Sequence, residues 1–133
     1  MRFLGIDYGG KRVGVAISDD GGRLAFPHGI LQNDDKLVDT ILSLVDEEKI
    51  GEIVLGESMD YSGAPNKIEK DVNIFLENIK SRVEIPINRQ KEFFTSVEAR
   101  KLGDMRGDVS SVDDSAAALI LQRYLDKINN TNK

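Results

Sequence analysis

Residues 3–18 read FLGIDYGGKRVGVAIS, two apolar runs of strand length joined by a glycine pair. Arg2 to Tyr8 and Arg12 to Ser18 are expected strands, and Gly9-Gly10 is expected to supply the positive φ that a tight hairpin turn needs. The stretch predicts an antiparallel hairpin with an anomaly inside it, the carboxylate of Asp7. Residues two apart on a strand share a face, so Phe3, Gly5 and Asp7 point one way and Leu4, Ile6 and Tyr8 the other. Burying an uncompensated acid costs several kcal/mol, so an acid near the end of a central strand is paired, hydrogen-bonded or bound to a metal. The competing reading puts Asp7 just past the strand, capping the turn as aspartates commonly do.

Outward from this hairpin, an Asp-Asp-Gly-Gly turn at 19–22 leads into a third strand, expected over about Leu24 to Ile30. The chain thus opens as an antiparallel meander. The period then changes: Leu37, Val38, Ile41, Leu42 and Val45 recur at helical spacing and predict an amphipathic helix over about Asp34 to Lys49. Residues 52–56, EIVLG, form a short apolar strand. Asn66, with Glu69 three residues on, reads as the N-cap of a second helix with Ile68, Val72, Phe75, Ile79 and Val83 on one face. Ile85 to Asn88 is a fifth strand, which Pro86 assigns to a sheet edge. Thr95 and Glu98 make a capping box for a short helix to about Leu102. Val112 to Ile128 is a last helix, rich in Ala and Leu, followed by a frayed tail at 129–133. This order predicts a single α/β domain over 1–133: a five-stranded mixed sheet, an antiparallel meander and then parallel strands, with helices on both faces. It is the order of an RNase H-like domain.

Composition narrows the function classes. A chain of 133 residues fits one domain, and 23 acidic against 18 basic residues leave a net charge of −5, which argues against a strongly basic, sequence-independent nucleic-acid binder. A nuclease that holds divalent metals in a carboxylate cluster carries negative charge by design and meets phosphate with a local basic group. No apolar run approaches the roughly 18 residues of a membrane span, and the N-terminus enters a strand directly, so a cytoplasmic protein with no membrane partner is expected. With no cysteine, disulfides, thiolate zinc sites and cysteine nucleophiles are excluded.

Acids stand at four places at or near the ends of elements that should neighbour one another: Asp7, Glu57 after the fourth strand, Glu92 after the fifth, and Asp113 with Asp114 at the start of the last helix. Each has an ordinary alternative, a turn residue, an exposed loop acid or an acid favoured by the helix dipole. Together they suit a divalent ion such as Mg²⁺, which is held by a few carboxylates and keeps several waters. The Gly-Gly turn with Lys11 and Arg12 could cradle phosphate or be an ordinary hairpin, and Arg100, Lys101 and Arg106 around the late loop could contact a phosphate backbone or be solvated. His28, the one histidine, gives no support to a serine triad or a histidine zinc site.

Four blocks resemble the YqgF-type family of pre-16S rRNA nucleases and Holliday-junction-resolvase-like proteins: LGIDYGGKRVGVAISD, IVLG with Gly63 seven residues beyond Gly56, EFFTSVEAR, and VDDSAAALILQRYL. The resemblance implies an RNase H-like fold, a cytoplasmic setting, Mg²⁺ or Mn²⁺ as a pair of ions, and phosphodiester hydrolysis, with processing of the 5′ end of pre-16S rRNA as the usual assignment. Asp7 falls on the family's first-strand aspartate and Asp113 on the one that opens its last helix. The family's Asp-Glu-Arg motif is here Lys91-Glu92-Phe93, with Thr95 following, and its Gly-Leu-Pro is Gly56-Glu57-Ser58. The expectation is that Glu57 has become the third carboxylate beside Asp7 and Asp113, with Glu92 secondary. Asp7 would bridge the ions, and Lys11, Arg12, Thr95, Arg100 and Arg106 would position the nucleic acid. Precursor rRNA is the expected partner and branched DNA the alternative, in a monomer or a homodimer. Two rivals remain: an actin-like ATPase or sugar kinase, whose first phosphate loop is similar but which pairs two such domains, and a ribosome-assembly module whose catalysis has decayed.

Overall fold

The computed structural model describes residues 1–58, 67–92 and 112–131. Strands β1 (Arg2–Tyr8), β2 (Arg12–Ser18) and β3 (Ala25–Gln32) form the meander, and helix α1 (Leu37–Glu47) leads to β4 (Ile50–Ser58). Helix α2 (Lys67–Lys80), strand β5 (Ile87–Glu92) and helix α3 (Val112–Thr131) follow. The expected Asn66 cap and the helix from Thr95 to Leu102 lie outside the described residues.

The sheet order is β3-β2-β1-β4-β5, with β1 central and β5 at an edge. β1 pairs antiparallel with β2, β2 antiparallel with β3, and β1–β4 and β4–β5 are parallel. The mixed sheet read from the element order is the one observed. Two apolar layers enclose it. Leu4, Ile6, Val15, Ile53 and Leu55 face α1 and α2, represented by Ile41, Phe75 and Ile79. On the other face Phe3, Ala16 and Val54 meet Ala117, Ile120 and Leu121 of α3.

Several boundaries differ from expectation for local reasons. α1 starts at Leu37 rather than Asp34, because Asp34 Oδ1 accepts the Lys36 N–H at 2.9 Å and its carbonyl accepts the Leu37 N–H at 3.1 Å. That closes a turn ahead of the helix. Lys49, at φ 53°, makes the left-handed exit from α1 into β4. β5 runs from 87 to 92 instead of 85 to 88: Pro86 stands before it, its carbonyl accepting the Ile53 N–H at 3.0 Å, and the polar residues after it pair in register with β4. The tail expected to fray at 129 is helical through Thr131, and Asn129 Nδ2 donates to the Gly22 carbonyl at 3.1 Å.

Helix α3 decides what stands over the central strand. Ile120, Leu121 and Leu125 are fully buried, and each contributes about 1.5–3 kcal/mol relative to an exposed side chain. The approach is close because glycines face it. A Cβ at Gly5 would lie 2.8 Å from Leu121 Cβ and 3.2 Å from the Ala117 carbonyl, and one at Gly56 would lie 2.4 Å from Ile120 Cδ1. Gln122 fastens the helix to the start of β3, accepting from Ala25 N–H and donating to the Arg23 carbonyl, both at 2.9 Å. Tyr124 stacks obliquely on Phe3 with ring centroids 6.1 Å apart. Since 117 and 121 lie over Gly5 and 124 over Phe3, the helix runs antiparallel to β1. Its N-terminal turn therefore lies toward the Asp7 end.

Candidate active site

Asp7 is the last but one residue of β1, paired with Gly14 of β2 on one side and Gly56 of β4 on the other. It is partly buried, with Phe3 and Gly5 on the α3 face. Its Oδ1 atom is shielded from solvent and accepts no hydrogen bond from a described residue, while the residue does interact within the fold. The turn beside it is braced. Asn33, after β3, donates from Nδ2 to the Gly9 carbonyl at 2.8 Å and from its backbone to the Lys11 carbonyl at 3.0 Å. The positive φ expected of Gly9 and Gly10 is not what the turn uses, since among the described glycines it occurs at Gly22; Gly9 is required instead because a Cβ would come within 2.5 Å of the Arg12 carbonyl. Lys11 and Arg12 are exposed on this turn, at the same end of the sheet as Asp7.

The other candidate acids are placed by the backbone. Asp113 lies in the first turn of α3, four residues before Ala117 and so on the same stripe of the helix, one turn nearer the Asp7 end. On the parallel strands Glu57 is in register with Lys91, and Ser58 with Glu92. The pairing runs without a bulge from Ile53↔Ile87 to Ser58↔Glu92, so the strand period of two can be followed to the ends. Position 57 belongs with Ile53 and Leu55, which pack toward α1 and α2. Position 92 belongs with Asn88, which donates to Tyr124 of α3 at 3.0 Å. Positions 7 and 92 are thus on one face of the sheet and position 57 on the other. Thr95, Arg100 and Arg106 lie outside the described residues. Among the described residues no three metal-ligating side chains converge, and Asp7 is the one candidate ligand whose side chain is described.

Sequence reasoning missed a polar cluster on the α3 face at the other end of the sheet. Tyr124 donates its hydroxyl to Glu52 Oε2 in a short hydrogen bond. Asn88 Nδ2 donates to the same Glu52 oxygen at 2.6 Å and to the Tyr124 hydroxyl. Burial pushes the Tyr124 hydroxyl up to about 12, aided by the hydrogen bond to Glu52 and by its charge. An available signal was Glu52, an acid two residues before the wholly apolar Val54.

A five-stranded mixed sheet of order β3-β2-β1-β4-β5, with helices on both faces and α3 lying over the central strand, is an RNase H-like fold. Solved structures agree on the fold: Thermus thermophilus RuvC in complex with a Holliday junction substrate superposes with a TM-score of 0.62 at 12% identity, covering 98% of this chain and 97% of that one. The fowlpox virus Holliday junction resolvase gives 0.60 at 13% identity, covering 96% and 99%. The family model described as RuvX, Holliday junction resolvase, matches residues 1–127, and the chain belongs to that family. Curated relatives carry the name "Putative pre-16S rRNA nuclease". One from Nitratidesulfovibrio vulgaris is 36% identical over 134 residues, 94% of this chain and 93% of the relative. One from Sulfurihydrogenibium is 34% identical over 137 residues, 99% and 94%.

Proposed function

We propose that this chain is a metal-dependent nuclease that hydrolyses phosphodiester bonds, with the 5′ end of precursor 16S rRNA as its substrate. The reading is supported by the direction of α3, whose Leu121 lies over Gly5 and Tyr124 against Phe3, so that its N-terminal turn, which bears Asp113, lies toward the Asp7 end of the central strand. The names of relatives alike over nearly the whole chain support the rRNA substrate, and the family description supports branched DNA as the second reading.

The donor set fits a hard divalent cation, since carboxylates with retained waters suit Mg²⁺ or Mn²⁺. Asp7 and Asp113 would hold it. For the third acid, strand periodicity favours Glu92 over the Glu57 expected from sequence, because position 92 shares the face of Asp7 and position 57 does not. Position 57 stands in register with position 91 across the parallel strands. When bound, a pair of such ions activates an attacking water and neutralises charge on the leaving oxygen. The chain's own residues orient: Lys11 and Arg12 meet backbone phosphates on the turn that Asn33 braces, contacts that position a strand without reading its bases. A soluble, cytoplasmic setting follows from the rRNA substrate, and among the described residues no helix is long and apolar enough to cross a membrane.

The test is cleavage with Mn²⁺ or Mg²⁺ of three substrates in parallel: precursor rRNA ends, single-stranded RNA and four-way DNA junctions. Trimming of the rRNA end is expected, and activity on junctions alone overturns the rRNA assignment. Glu92→Ala should lower cleavage by at least about a hundredfold while Glu57→Ala stays within about threefold of the parent. The reverse ranking restores Glu57 as the third acid, and no cleavage by the parent protein leaves the binding module without catalysis.

A further inference from the structure

The elements that carry the candidate acids meet twice. At one end of the sheet α3 brings Asp113, β4 brings Glu57 and β5 brings Glu92; at the other end the same three elements contribute Tyr124, Glu52 and Asn88 to one hydrogen-bonded cluster. We propose that Tyr124, Glu52 and Asn88 are positioning residues for the metal site, fixing the axial setting of α3 against β4 and β5. The proposal rests on the nuclease reading given above.

The geometry supports this role. Apolar contacts hold α3 down on the sheet through Ile120, Leu121 and Leu125, and Gln122 and Asn129 tie it to the meander side through Ala25, Arg23 and Gly22. The Tyr124 cluster supplies the matching tie to β4 and β5, and a hydrogen bond fixes position along the axis because it weakens steeply with distance and angle. Glu52 Oε2 takes donors from two elements at once, the Tyr124 hydroxyl of α3 and Asn88 Nδ2 of β5, and Asn88 also reaches the Tyr124 oxygen. The three groups therefore form a closed triangle that links helix to strand and strand to strand. Tyr124 stands eleven positions after Asp113 on one continuous helix, so an axial slip at the tyrosine is passed on to the acid. Metal coordination tolerates deviations of only about 0.2 Å in ligand distance, so small slips matter. The phenyl ring of Tyr124 has its own packing against Phe3, which separates the hydroxyl's role from that of the ring.

Tyr124→Phe keeps the ring and deletes the hydroxyl. Calorimetric titration of the full chain with Mn²⁺, together with the Mn²⁺ concentration for half-maximal cleavage, should show affinity weakened about five- to tenfold, with cleavage at saturating Mn²⁺ within about twofold of the parent. Glu52→Gln, whose amide oxygen still accepts from both donors, should recover most of the parent's Mn²⁺ affinity, whereas Glu52→Ala should not. Leu44→Ala, in α1 on the opposite face, serves as a variant of lowered stability and should leave Mn²⁺ affinity unchanged. If Tyr124→Phe binds Mn²⁺ as the parent does, or Leu44→Ala weakens binding equally, the positioning role is overturned and the nuclease reading stands. If the parent chain itself binds no Mn²⁺, both fall.

Discussion

At the scale of single residues, Gly5 sets how close α3 comes to the strand that carries Asp7. The atoms a methyl group would meet are a Leu121 Cβ and a helix carbonyl, neither of which can rotate away, so the helix itself must shift. Gly5→Ala should lower stability by about 1–3 kcal/mol in urea denaturation and, by lifting α3, weaken metal binding as well. Tyr124 offers a spectroscopic check. One of the three tyrosines should ionise in the folded protein near about 12 rather than at the ordinary value of 10.0, read from phenolate absorbance. The folded state then keeps a proton that the unfolded chain has released. Its stabilising contribution is complete below about pH 10 and is lost as pH rises through about 12, and Tyr124→Phe should flatten that fall.

At the scale of elements, what the sequence made legible follows from how each segment is stabilised. β1 and β2 could be read to the residue because both are apolar, two-sided core strands closed by a local glycine turn. β5 could not, because its ladder is polar and its pairing with β4 is decided by a neighbour more than thirty positions away in the chain, as in Val54↔Asn88. The same polar strand hid which face of the sheet position 92 lies on. Choosing between Glu57 and Glu92 depends on strand parity, and one residue of register moves every side chain to the other face of a sheet. Asp7 and Asp113 are singled out without such knowledge, because the family resemblance falls on both; their residue types alone leave a turn aspartate and a helix-dipole acid as ordinary alternatives. For the cluster of Tyr124, Glu52 and Asn88 the sequence offered Glu52 alone as a signal, because its members come from three segments whose meeting is a property of the sheet order.

At the scale of the whole molecule, a cation bound by the folded state alone adds to its stability by mass action, about 2.7 kcal/mol at a hundred times its dissociation constant. Mn²⁺ should therefore raise the melting temperature of the parent chain, and chelation with EDTA should reverse the rise. Asp7→Asn should fold, lose the Mn²⁺-dependent shift and lose at least about a hundredfold in cleavage. A shift of equal size in that variant would place the cation elsewhere on this acidic surface.

Helix α3 closes on strands laid down long before it, as when Gln122 reaches the backbone of Ala25, 97 positions earlier. The meander can pair as soon as it leaves the ribosome, since its contacts are local, whereas the helix docks only after a long loop has been closed. A growing chain thus carries Asp7 for most of its synthesis without the segment that faces it. Under the proposed pairing of Asp7 with Asp113, a growing chain would gain the means to hold its cation only once residues 112–131 have emerged.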